Sequence, residues 1–269
     1  MPEPELLAIL IIGGLSAGLM AGLLGIGGGI ILVPATLLVL SKMNVDTGVA
    51  MHIALATSLT VIIFSASTSA YAHRRLGTID TAVFSKWWLP VLIGALLGGL
   101  AAKWVSGDFL RIGFALFAAV VGMKFLTGKQ SPSQEATRTP RPTSPNWPVA
   151  IGFASSWLGI GGGSFSVPLL SSRGHSMQRA VGTSAAIGLV IAIPASIGFI
   201  VGGWSAAARP PLSVGYVHIP SVLAFGVGAM LLAPVGAKLS SRTPQRTLKR
   251  VFGGFLVIAA LRIASKILF

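Results

Sequence analysis

Two short glycine runs are the residues in this chain best suited to chemistry. Leu24-Gly25-Ile26-Gly27-Gly28-Gly29 is followed by Val33-Pro34, and Leu158-Gly159-Ile160-Gly161-Gly162-Gly163 by Val167-Pro168. Each glycine costs a helix about 1 kcal/mol against alanine, so three in succession predict a break. A break that opens into a new helix leaves a nest of main-chain N–H groups at the positive end of the helix dipole. Such a nest holds an anion without a charged side chain. Gly27, Gly28, Gly29, Gly161, Gly162 and Gly163 are therefore candidate binding residues. Pro34 and Pro168 fit near the first turn of the helices that follow, where a missing N–H costs least. The runs do not spell a dinucleotide fingerprint: the last glycine of GxGxxG is absent, and no strand precedes them.

Hydroxyls recur at matching places. Ala56-Thr57-Ser58 is answered by Gly182-Thr183-Ser184. Thr57, Ser58, Thr183 and Ser184 are candidates to donate to a bound oxygen, and the same hydroxyls are able to bond back to the carbonyl four residues earlier. Ser164 and Ser166 follow the second glycine run where Ile30 and Leu32 follow the first, so the two sides of any site are unequal. Ser164 joins the candidates. His52 is the titratable side chain expected at depth in the first half, with His218 as its counterpart later in the chain. It is a candidate for proton coupling, against the alternative of a packed, neutral histidine. Asp46, Asp80, Asp108 and Glu135 all fall between apolar segments. The pattern therefore offers no buried-carboxylate cation site, no protease dyad and no metal-ligand set. The chain has no cysteine, so thiolate chemistry and disulfides are excluded. No cofactor is implied.

The elements that must position these residues belong to a membrane. Apolar residues make up 53% of the chain and charged residues 10%, where a soluble domain carries about 25% charged. The apolar segments run 6–24, 26–40, 48–72, 84–105 and 109–126, then 148–158, 160–170, 180–203, 214–239 and 248–267. They lack the alternation of a transmembrane barrel, and open strands cannot satisfy their backbone in lipid, so all are predicted helical. Gly14, Gly18 and Gly22 form a four-residue ladder of the kind that lets helices approach closely. Trp87, Trp88, Trp104, Trp147 and Trp204 fall at segment ends, as interfacial indoles do, whereas Trp157 lies beside the second glycine run.

The halves repeat. Residues 1–127 form a first membrane unit and 147–269 a second, joined by a Pro-rich linker over 128–146. The net charge of +14 is a loop property, and no nucleic-acid partner is implied. Twelve basic residues fall in the loops containing Arg74, the linker, Arg173 and Lys238 to Arg250, against four at Lys42, Lys103, Arg111 and Arg209. The positive-inside bias places the linker in the cytoplasm and the N-terminus outside, with no cleaved signal peptide. The stretch 147–172 then leaves and returns on one side. Its arms of about 12 residues reach about 18 Å, short of a bilayer core, so it is predicted to be a re-entrant hairpin. The resulting fold class is an all-α polytopic membrane protein of two inverted repeats. Each repeat has a glycine-broken re-entrant or discontinuous helix and three full transmembrane helices.

At these motifs the chain resembles the TauE/SafE family of sulfite and organosulfonate exporters. The resemblance covers the two glycine runs with their prolines, the paired Thr-Ser motifs, the basic linker, and His73-Arg74-Arg75-Leu76-Gly77-Thr78-Ile79-Asp80. Ala56 departs from the glycine expected before Thr-Ser. The resemblance implies a multi-pass protein of a bacterial inner membrane that exports a small sulfur-containing oxyanion. The expectation is a secondary transporter working by alternating access, with a small anion and the lipid bilayer as partners and a homo-oligomer left open. A passive anion channel and a non-transporting scaffold subunit are the alternatives.

Overall fold

The computed structural model describes residues 4–24, 28–127 and 146–239, with single positions between 253 and 263. Gly27, linker residues 128–145 and most of the last apolar segment lie outside the described residues. The elements in order are α1 (Pro4–Leu24), α2 (Gly29–Lys42), α3 (Thr47–Arg75), α4 (Thr81–Ala101), α5 (Gly107–Thr127), α6 (Asn146–Leu158), α7 (Gly163–Ser172), α8 (Met177–Gly202), a hairpin of β1 (Ser213–Val214) and β2 (Val217–His218), and α9 (Ile219–Leu239). A 3-10 turn over Ala102–Trp104 extends α4. α3, α4 with its turn, α8 and α9 are long and apolar enough to cross a membrane. Their outward faces agree with that: Ile193, Ile197 and Val201 on α8 and Leu223, Val227 and Leu231 on α9 recur every four residues and are exposed.

One element differs from the sequence reading. The segment over 214–239 begins as a two-stranded antiparallel hairpin, and its helix starts at Ile219. Gly215, in the left-handed region at φ 57°, makes the turn, and its α-carbon lies against the backbone of Ile200. Apolar content alone did not separate this hairpin from the helix behind it.

The helices pack by close backbone approach. Gly14, Gly18 and Gly22 of α1 meet the backbones of Phe225, Ala229 and Ala233 of α9 in the same order, so these helices run parallel. In the other half, Gly152 of α6 meets Val91 of α4, while Gly94 and Gly98 of α4 meet Val149 and Phe153 of α6. A methyl group at most of these positions would collide with main chain, which no rotamer change relieves. The first helix of each half thus lies along the fourth helix of the other. α3 and α8 cross at the centre in opposite directions, with Ala66 beside Gly188 and Thr60 Oγ1 donating to Ser196 Oγ at 3.2 Å. α9 runs with α3, and α4 runs with α8. It follows that α4 and α9, and hence α6 and α1, point in opposite directions.

The loops sort into two ends. His52, Thr47 and Arg111 join the loop over 43–46, the turn over 102–106 and the hairpin loop around Tyr216. Asp80 and His175 join the loops over 76–80 and 173–176 at the far end. Among the described residues, the basic side chains of the two loop sets assigned from sequence fall at opposite ends of the molecule.

Candidate functional site

Both glycine runs break their helices. α1 ends at Leu24 and α2 begins at Gly29, with Gly28 in the left-handed region at φ 73°. α6 ends at Leu158, Gly159 turns the chain at φ 61°, and α7 begins at Gly163. At 13 and 10 residues, α6 and α7 reach about 20 Å and about 15 Å, so neither spans a bilayer core. The two tips touch: the Gly29 α-carbon lies against the Gly159 carbonyl and Ile160. They sit deep in the protein, with Gly28, Gly29 and Gly159 to Gly163 all buried.

Neither α2 nor α7 has a side-chain cap. Main-chain bonds around the second tip run from Gly159 to Ser156 O, from Ile160 to Ser155 O, and from Phe165 and Ser166 to Gly162 O. The amides of Gly161, Gly162, Gly163 and Ser164 have no acceptor among the described residues, nor do those of Gly29 and Ile30. Buried N–H groups are almost always paired, so a run of unpaired ones at a helix start is a feature with a use. The hydroxyls of Ser155, Ser164 and Ser166 are also buried without a partner. Ser155 and Ser166 add to the residues singled out as binders, and both sit within one turn of a tip.

The paired Thr-Ser motifs come apart in role. The His218 amide donates to Thr57 Oγ1 at 3.1 Å, and the Asp80 amide donates to Thr183 Oγ1 at 2.8 Å. Each threonine thereby accepts from a residue just ahead of the fourth helix of the other half. Ser58 Oγ donates to Gly159 O at 2.7 Å, which fastens α3 to the second tip. Ser184 is fully buried on α8. Of the four, Ser58 reaches a tip directly, and the contacts described for Thr57, Ser58 and Thr183 join parts of the protein.

Around these threonines the two ends differ. Asp80 Oδ1 accepts from the amides of Ala82 and Val83 at 3.1 Å each and so caps α4. Its Oδ2 lies 3.3 Å from His175 Nδ1 and 3.8 Å from Arg179 Nη1. At the opposite end, His52 Nε2 donates to the carbonyls of Ala102 at 3.1 Å and Val105 at 3.0 Å, while its ring stacks on Tyr216 at 4.9 Å. Nδ1 of the same ring is buried without a partner. His218 Nδ1 lies 2.8 Å from Ser221 Oγ. Burial lowers the His218 pKa below the ordinary histidine value; burial raises that of Tyr216, and Arg209 works the other way. His52 thus lies at one end of the molecule, away from the tips. Trp157 donates its indole N–H to Gly98 O at 2.9 Å and packs on Phe153 and Phe109, pinning α6 to α4 and α5.

Long apolar helices, two broken helices with buried amide donors, and lipid-facing apolar stripes define a multi-pass helical membrane protein. Residues 10–263 match the family described as sulfite exporter TauE/SafE, and the chain belongs to it. A probable membrane transporter protein of Haemophilus influenzae is 32% identical over 262 residues, covering 97% of this chain and 98% of that protein. A probable membrane transporter protein of Xylella fastidiosa is 31% identical over 264 residues, covering 93% and 92%. The sulfite exporter TauE/SafE family protein 1 of Arabidopsis thaliana is 29% identical over 113 residues, 42% of this chain and 23% of that one. No solved structure matches the chain. By family the chain is a membrane transporter.

Proposed function

We propose that this transporter is a secondary carrier that exports a small sulfur-containing oxyanion across a bacterial inner membrane by alternating access. The observation that carries the reading is the set of unpaired, buried amides at Gly161 to Ser164. They offer positive partial charge and hydrogen bonds to an anion inside a protein whose described core holds one buried formally charged side chain, Arg111. Arg111 is engaged elsewhere, with Asp108 at 3.1 Å and the Thr47 carbonyl at 3.1 Å.

In this mechanism the halves act as inverted repeats. Its support is the reciprocal packing of α1 on α9 and α6 on α4, and the reciprocal bonds of Thr57 and Thr183. The ion-binding region then lies where the repeats meet, and one repeat rocks against the other to expose it to each side in turn. Gly28, Gly29 and the Thr-Ser residues line the moving contact, and Gly161, Gly162, Gly163 and Ser164 hold the anion. The loop charge sets the 128–146 linker in the cytoplasm. An inside-negative potential then favours export of an anion by about 2.3 kcal/mol per charge per 100 mV.

Uptake of labelled sulfite, a sulfonate, sulfate and thiosulfate into proteoliposomes tests this directly. Saturable uptake that speeds up when unlabelled anion is loaded on the far side supports a carrier. Unsaturable flux with single-channel currents replaces it with a pore, and no flux of any anion ends the reading. A cysteine in place of Met43 should label from outside and one in place of Ser133 should not; the reverse pattern inverts the orientation.

A further inference from the structure

The two tips share a glycine run and differ in side chains. With Gly25 matched to Gly159, Leu32 falls at the position of Ser166; with Thr57 matched to Thr183, Ile62 falls at the position of Gly188. In the first half both places are filled. Leu32 and Ile62 are fully buried, and a Cβ added to Gly29 would stand 3.0 Å from Ile62 Cδ1. In the second half both are open or polar. A Cβ added to Gly188 would have nothing nearer than 3.9 Å, and its neighbours there are Ala66 Cβ, Gly161 Cα and Gly162 N. Ser166 is 0% exposed, and its hydroxyl has no partner. It lies one turn after Gly162, on the same face of α7, with Oγ 3.3 Å from where a Gly162 Cβ would stand.

We infer that the anion site is one-sided: a singly charged oxyanion sits on the Gly161–Gly162 amides and the Ser166 hydroxyl, with Gly188 leaving its room, while the first tip is a packed wall. The inference rests on the transport reading above and narrows it to one half and one charge state. Gly188 is then the size-determining residue, because any side chain there grows toward the Gly162 amide. The charge state follows from the donors. Amides and a hydroxyl stabilise one negative charge well, as the start of a helix does. The cost of stripping water from an ion rises with the square of its charge, and among the described residues no cation is placed at the tip to meet a second charge. A sulfonate or hydrogen sulfite fits that description; sulfate does not.

The test is calorimetric titration of the purified full-length chain in detergent with methanesulfonate, a fixed monoanion, and with sulfate, a dianion. The wild type should bind methanesulfonate more tightly than sulfate. Ser166→Ala removes one donor without adding bulk, and should weaken methanesulfonate binding about tenfold, the equivalent of one hydrogen bond to a charged group. Gly188→Ala has room for its methyl within the fold and should weaken binding by a similar factor. Ile62→Val, at the matching place in the first half, should leave the Kd unchanged. If the wild type binds but Ser166→Ala and Gly188→Ala bind like it, the one-sided site is wrong and the transport reading survives. Equal loss in Ile62→Val makes the site two-sided. Sulfate binding as tight as methanesulfonate removes the charge selection. No binding of either anion, with no flux in proteoliposomes, removes the transport reading with it.

Discussion

The bond between Thr183 and the Asp80 amide and the bond between Thr57 and the His218 amide are the same device in different company. Each is a hydroxyl on a central helix that accepts the amide just ahead of a helix from the other half. At the first, the residue that donates also brings a carboxylate, which caps α4 and faces His175 and Arg179. At the second, the residue that donates is a histidine whose pKa burial lowers, and a tyrosine lies under the ring of His52. The lesson is that a repeated backbone contact sets where the halves touch, while the side chains around it set what loosens each end. One bond stands beside a carboxylate, the other beside buried imidazole and phenol rings.

Removing the shared device should have the largest effect. Thr183→Val and Thr57→Val each leave a buried amide without its acceptor, at a cost of about 1–3 kcal/mol, read as a drop in Tm in detergent. Thr→Ser at either place keeps the oxygen and should recover most of the loss. If only one of the two threonines matters, the equivalence of the ends is broken.

The charged end should come next. Asp80→Ala removes a helix cap and costs about 1 kcal/mol, together with the contact to His175, whose side chain is only 9% exposed. Asp80→Asn keeps an acceptor for the α4 amides and should recover the cap alone. No matching charge effect is expected at the His218 end.

A smaller effect reads the His218 end by pH. The folded pKa of His218 lies below its unfolded value, so the unfolded chain takes up the proton first. Stability from this group is present above the ordinary histidine pKa and is lost as pH falls from about 7 towards 5. A Tm profile over that range should slope down on the acid side, and His218→Asn should flatten it. The smallest effect belongs to Arg179, which is 62% exposed and 3.8 Å from Asp80. Arg179→Ala should cost less than about 0.5 kcal/mol, and added salt should hide it.

Much of this architecture was legible in the residues. Three successive glycines predicted breaks, and helices stop at Leu158 and restart at Gly29 and Gly163. The Gly14, Gly18 and Gly22 ladder predicted close helix approach, and α9 lies on it. These features are local, and glycine spacing encodes them. What the sequence hid is long-range. Nothing near Thr57 announces that its partner is 161 residues away, and Thr183 meets Asp80 across 103. Their pairing was compatible with substrate contacts or with bonds back along the helix, and the bonds described for Thr57, Ser58 and Thr183 reach other parts of the protein. Ser166 could be seen as unequal to Leu32 from the repeat alone, but the space at Gly188 depends on how α7 lies against α8.

Exchange of labelled sulfite in proteoliposomes holding the wild type or Gly162→Val is the most direct test of anion binding at the second tip. The atom nearest a Cβ at Gly162 is Ile191 Cδ1, the far end of a side chain able to shift, with Ile187 Cγ2 next, and exchange is read on variant protein that elutes as a monodisperse peak. The expected result is saturable, counterflow-stimulated exchange by the wild type and its loss in the folded variant. Exchange by Gly162→Val at the wild-type rate would contradict the claim that main-chain amides at this tip hold the anion.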